Sequence, residues 1–154
     1  MRLHWLESSQ CLKGVLDFTE KAEYKILVID DDPDFISSTK TVLETRPDFK
    51  VLTASDPVFA YPMAIAERPD LIILDVIMSF EDGFSAARKF KSEPGLSDIP
   101  IIILTSFSHR LGESNIAVAD GMDFVADDYM EKPVNPAELL KRVGEMLDKS
   151  ERNI

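Results

Sequence analysis

The chain has 154 residues, 45% hydrophobic and 29% charged, enough for one domain with a real core plus a short appendage and too apolar for wholesale disorder. Its formal net charge is −11 and no stretch gathers Lys and Arg into a basic face. That argues against direct nucleic-acid binding and against an anionic membrane surface, and favours a cation or a basic protein surface as ligand.

Cys11 is the sole cysteine, and His4 and His109 are the only histidines, so neither an internal disulfide nor a cysteine or zinc site is expected. In residues 1–23, Glu7, Lys13 and Asp17 interrupt any apolar run, which excludes a signal peptide. Trp5, Leu6, Leu12, Val15 and Leu16 in that segment fit a short amphipathic helix that docks on the domain or pairs two chains. No segment approaches the roughly 20 apolar residues of a membrane span, so a soluble cytoplasmic protein is expected.

From Lys25 onward, short runs of Ile, Leu and Val alternate with helix-like stretches. Strands are predicted at Lys25–Ile29, Lys50–Ala54, Leu71–Leu74, Ile101–Leu104 and about Asp128–Met130. The first, third and fourth are continuously apolar, as suits strands covered on both faces of a parallel sheet. Asp32-Pro33 reads as an N-cap with proline at the first helical position, and Phe35, Ile36, Thr39, Val42 and Leu43 fall on one face of the helix it opens. Asp34 then sits in the first turn, where the helix dipole favours acid. Asp56-Pro57 repeats the device, and Pro62 is expected to kink that helix or delay its start. A third helix opens at Glu81-Asp82, turns Phe84 and Ala87 inward, and stops at Pro94-Gly95; Gly83 serves backbone geometry at its start. Another is expected between His109 and Asp120. Asn135-Pro136-Ala137-Glu138 reads as a capping box, followed by the stripe Leu139, Leu140, Val143, Met146 and Leu147. This alternation predicts a doubly wound α/β sandwich whose ligand site lies beyond the carboxyl ends of the strands.

At those ends stand the polar residues that carry chemistry. The first strand runs into Asp30 and Asp31, the third ends in Asp75, the fourth in Thr105, and Lys132 follows the fifth. Two carboxylates about 4 Å apart repel by about 4 kcal/mol at an effective dielectric of 20, so such a cluster asks for a cation. Oxygen-only donors of this kind suit Mg²⁺, while Lys132 and Thr105 can hold the oxygens of a phosphoryl group carried by an aspartate.

The segments "LVIDDDP", "DLIILDVIMSFEDGF", "PIIILTS" and "DDYMEKPV" resemble the four successive motifs of response-regulator receiver domains, in order. The resemblance covers residues 24–149, leaving an extension at 1–23 and a tail at 150–154. It implies a flavodoxin-like sheet of five parallel strands in the order 2-1-3-4-5, with helices on both faces. It also implies that Asp75 is the phosphoacceptor, served by the phosphohistidine of a sensor histidine kinase or by a phosphotransfer protein. Asp31 and Asp75, with the backbone carbonyl of Ile77, would bind Mg²⁺ directly, and Asp30 through water. Lys132 and Thr105 would contact the phosphate, Tyr129 would turn inward on phosphorylation, and the Lys132–Pro133 bond would be cis. The protein would be a signalling switch and not an enzyme in the ordinary sense, acting on a downstream protein target, with homodimerisation allowed.

Three departures from the family stand out. Ser79 replaces a usual proline. The 27 residues from Thr105 to Lys132 are more than is typical, and Asp120, Asp123, Asp127 and Asp128 make that face acidic, as suits a basic partner. Ile77 and Phe107 are apolar where they flank the route to the phosphoryl group, so a long-lived phosphorylated state is expected. Two rival readings remain: a haloacid-dehalogenase-type phosphatase using Asp30, disfavoured because Asp34 stands where Thr or Val is needed, and a pseudo-receiver that is never phosphorylated.

Overall fold

The computed structural model describes residues 23–76, 83–105 and 126–152. Five parallel strands, β1 (Tyr24–Ile29), β2 (Phe49–Ala54), β3 (Leu71–Asp75), β4 (Ile101–Thr105) and β5 (Asp128–Glu131), form one sheet in the order β2-β1-β3-β4-β5. The flavodoxin-like order expected from the resemblance is therefore present. The described helices are α1 (Pro33–Leu43), α2 (Pro57–Glu67), α3 (Gly83–Ser92) and α4 (Pro136–Arg152). The helix expected between His109 and Asp120 lies outside the described residues, as does the segment 1–22.

Alternation along the strands divides the core into two layers. Leu27, Ile29, Ile72, Leu74, Ile101 and Ile103 meet Ala60 and Ala64 of α2 and Phe84, Ala87 and Phe90 of α3. Ile26, Val28, Leu71, Ile73, Ile102 and Leu104 face the other way, against Leu43 of α1 and Leu139, Val143 and Leu147 of α4. All twelve of these strand residues are at most 1% exposed, and each contributes about 1.5–3 kcal/mol through burial. Unbroken apolar runs thus read correctly as strands sandwiched between helices.

The helix starts follow the sequence signals, with two exceptions. Asp32 caps α1 by accepting from the Asp34 N–H at 3.0 Å, and Asp56 caps α2 by accepting from Phe59 N–H at 3.0 Å. Pro62 does not delay α2, which starts at Pro57 and continues past it. The cap fixes the start, and the carbonyl that Pro62 leaves without a helical donor is that of Val58, a residue 65% exposed, where water can serve it. At α4, Asn135 Oδ1 accepts from Ala137 and Glu138 N–H, but the capping box is half made: Glu138 turns away to Arg142, its Oε1 accepting from Nε at 2.7 Å.

Two polar clamps fix β5. Asp127 Oδ2 accepts from the Ile101 N–H at 2.8 Å and from Lys91 Nζ at 2.9 Å, while the Asp127 N–H donates to the Ile101 carbonyl at 2.9 Å. On the other side, Arg142 Nη1 donates to Asp128 Oδ1 at 3.0 Å and to the Tyr129 carbonyl at 3.0 Å, tying β5 to α4.

Candidate functional site

At the carboxyl ends of β1 and β3, the adjacent central strands, Asp30, Asp31 and Asp75 each offer a carboxylate oxygen, and these oxygens lie within 4.8 Å of one another. Asp30 is 1% exposed and Asp75 6%. Burial of such groups is tolerated only with partners. One oxygen of Asp30 accepts from the Asp32 N–H at 2.9 Å; the other accepts from Lys132 Nζ at 2.6 Å. The same ammonium lies 3.6 Å from Asp75 Oδ2. Lys132 reaches the cluster from directly after β5 and is joined to Pro133 by the cis bond that the resemblance implies.

Three carboxylates facing one ammonium leave an excess of two negative charges, in a setting of hard oxygen donors. The residues present therefore fit a divalent cation such as Mg²⁺. Asp32 and Asp34 stay at the start of α1, as expected of a cap and a first-turn acid.

Thr105 ends β4, in register with Glu131 of β5, one position beyond the Asp75–Leu104 pairing; only its backbone is described. Tyr129 pairs with Ile103 and packs, partly buried, against the layer under α2 and α3. Ile77, Ser79 and Phe107 lie outside the described residues, so the site has Asp30, Asp31, Asp75 and Lys132 gathered and Thr105 and Tyr129 on the strands beside them.

One contributor was not legible in the sequence. Lys132 Nζ stands 3.9 Å from the centre of the Phe35 ring, a cation–π contact that holds the ammonium over the cluster. Phe35 shows in sequence as a core-facing residue of α1, with nothing to indicate what would lie on its ring. Gly83 serves backbone geometry at the helix start, as its sequence position suggested. A Cβ there would stand 2.4 Å from the Asp75 carbonyl oxygen and 2.6 Å from Val76 Cα, so the start of α3 can pass against the strand end only without a side chain. Its N–H donates to the Val76 carbonyl at 3.0 Å.

The chain belongs to the response regulator receiver domain family, whose model matches residues 26–144, and is thus a receiver domain of two-component signalling. It is 34% identical over 128 residues to the DNA-binding dual master transcriptional regulator RpaA of Synechocystis sp., a match covering 83% of this chain and 51% of that protein. It is 35% identical over 127 residues to the alkaline phosphatase synthesis transcriptional regulatory protein PhoP of Bacillus subtilis, covering 82% and 50% respectively. Among solved structures, a CheY-like response regulator receiver domain protein from Methanospirillum hungatei superposes with a TM-score of 0.75 at 26% identity, covering 86% of this chain and 99% of that one.

The chain spans about half the length of the curated relatives it matches. One expectation is overturned by them: the acidic composition argued against direct nucleic-acid binding, yet the RpaA relative is named as DNA-binding. Charge speaks for the residues it is summed over, and those residues match only half of that regulator. Among the described residues, no helix is long and apolar enough to cross a membrane.

Proposed function

We propose that this receiver accepts a phosphoryl group onto Asp75 from the phosphohistidine of a sensor histidine kinase, or from a phosphotransfer protein, in a Mg²⁺-dependent reaction that switches a protein-interaction face. The observation that carries this reading is the gathering of the Asp30, Asp31 and Asp75 oxygens within 4.8 Å beside the Lys132 ammonium.

Phosphoryl transfer runs through a loose transition state, so positioning and charge neutralisation supply most of the catalysis. An Asp75 carboxylate oxygen forms the new P–O bond as the P–N bond to the donor imidazole breaks, the electron pair returning to that nitrogen. Asp30, Asp31, Asp75 and the Ile77 carbonyl would hold Mg²⁺, which supplies charge neutralisation for the transferring phosphoryl oxygens. Lys132 is poised between Asp30 and Asp75, and moves the short distance needed to pair with the phosphate. Thr105 then hydrogen-bonds the phosphate and Tyr129 follows into the space it leaves, a shift between two packings. The protein acts in the cytoplasm as a phosphoacceptor, with self-catalysed transfer and dephosphorylation its sole chemistry; by analogy with its relatives, the output it governs is transcription.

Incubation with acetyl phosphate and Mg²⁺, followed by peptide mapping in a mass spectrometer, is expected to place the added phosphoryl group on Asp75 and to find none in Asp75→Asn. A label on Asp30, or no label in the parent protein, overturns the reading.

A further inference from the structure

Helix α2 is apolar nearly all the way round. Inward, Ala60 and Ala64 are fully buried, with Tyr61 and Met63 packed at the flanks of the same layer. Outward, Val58, Phe59 and Ile65 are 65%, 66% and 45% exposed, and Pro62 and Ala66 lie exposed between and beside them. Val58, Pro62 and Ile65 follow the i, i+4, i+7 spacing of one helix face, so these residues form a continuous strip. Glu67, at the very end, is the only charge in the helix. The other described helices set charge against water on this side: Asp34 and Lys40 on α1, Arg88 and Lys89 on α3, Lys141, Glu145 and Asp148 on α4. A contiguous apolar strip on a surface helix marks a place where something packs.

The start of the described chain lies close to this strip. The backbone enters β1 at Tyr24, and the next residue is fastened to the far end of α2: Lys25 Nζ lies 3.0 Å from Glu67 Oε2 and 3.4 Å from the Glu67 carbonyl. The Lys25 N–H donates to Asp70 Oδ2 at 2.8 Å, and its carbonyl accepts from the Asp70 N–H at 2.7 Å. The described chain therefore begins near the carboxyl-terminal end of the strip, with 22 residues preceding Glu23 in the sequence. At 1.5 Å per residue, the 11 residues of α2 span about 16 Å, so even a helical segment of half those 22 residues could run its length. That segment carries Trp5, Leu6, Leu12, Val15, Leu16 and Phe18. Tethered so near, it meets the strip at an effective concentration in the mM range, which a second copy or a separate protein would have to match from solution.

We infer that residues 1–22 fold back along α2 and bury the strip formed by Val58, Phe59, Pro62 and Ile65. The docked segment flanks the β2 edge of the sheet and leaves the β5 edge, from which Lys132 comes, uncovered.

Trp5 is the only tryptophan, so its fluorescence in the full chain reports on the segment directly. In the parent protein its emission is expected to be blue-shifted, shielded from iodide, and constant across a wide dilution series. Phe59→Glu and Ile65→Lys, both at exposed positions, are expected to move it to the wavelength of tryptophan in water while far-UV circular dichroism keeps the folded signature. Ser38→Glu, exposed on α1 across the sheet, is expected to leave it unchanged. Water-like emission in the parent, buried emission indifferent to both α2 substitutions, or an equal shift in Ser38→Glu overturns the inference. A blue shift lost on dilution, with dimers in sedimentation, gives the strip to a second copy and also overturns it.

Discussion

Lys132 is the residue on which the electrostatics of the site turn. It is the one ammonium within 4 Å of Asp30 and Asp75 among the described residues, and it sits between those two nearly buried carboxylates and the Phe35 ring. Removing one partner of a buried pair costs roughly 3–5 kcal/mol, because the other charge stays behind uncompensated. Lys132→Met is therefore expected to lose stability of that order in EDTA and to recover part of it in Mg²⁺, as read by urea denaturation under both conditions. An equal loss with and without the ion would count against a cation at the cluster. Gly83→Ala is expected to cost about 1–3 kcal/mol, since the new methyl meets backbone and no flexible side chain can yield. Asp30 and Asp75 were legible in the sequence because each closes an apolar run, and Asp31 because it directly follows Asp30, which fixes their place at strand ends and their company. Phe35 was not, because what matters about its ring is an ammonium contributed by an element elsewhere in the chain.

Among the elements, helix starts were read from local chemistry and helix interiors from periodicity, and the two differ in how well they survive tertiary context. The Asp-Pro starts of α1 and α2 hold because the cap bonds are made to the same turn. Replacing Asp56 by Ala is expected to cost about 1 kcal/mol in chemical denaturation. The half-made capping box of α4 fails for a long-range reason: Arg142, drawn to Asp128 and the Tyr129 carbonyl, also takes Glu138. Pro62 shows the opposite balance, with buried Ala60 and Ala64 and a firm cap outweighing a local helix breaker. Pro62→Ala restores an N–H donor and removes the ring, and is expected to raise stability by about 1–3 kcal/mol in the same assay.

For the molecule as a whole, the fold was legible because strands buried on both faces leave little ambiguity, whereas charge was misleading about partners. Its −11 net charge is unevenly distributed, and individual arginines hold particular acids. Hydrogen bonding to the Arg46 guanidinium, 2.6 Å away, holds the Asp48 carboxyl below its ordinary value of 3.8, and Arg142 does the same for Glu138. Because the folded-state values are depressed, the stability these bonds contribute is present above the ordinary carboxylate range and lost as pH falls through the folded values. Both pairs are partly exposed, so the effect is modest. Arg46→Gln and Arg142→Gln are each expected to be less stable than the parent at pH 7 and to show a smaller difference from it at pH 3, measured by urea denaturation. A deficit that stays constant with pH would trace the loss to packing.

The clamp at Asp127 has a bearing on how the site is aligned. Its carboxylate and amide lock onto Ile101, at the opposite end of β4 from Thr105, so alignment of the fifth strand is set before the fourth has finished. The register of β5 on β4, which sets where Lys132 emerges beside the aspartates, is thus held by contacts at Ile101 made outside residues 106–125.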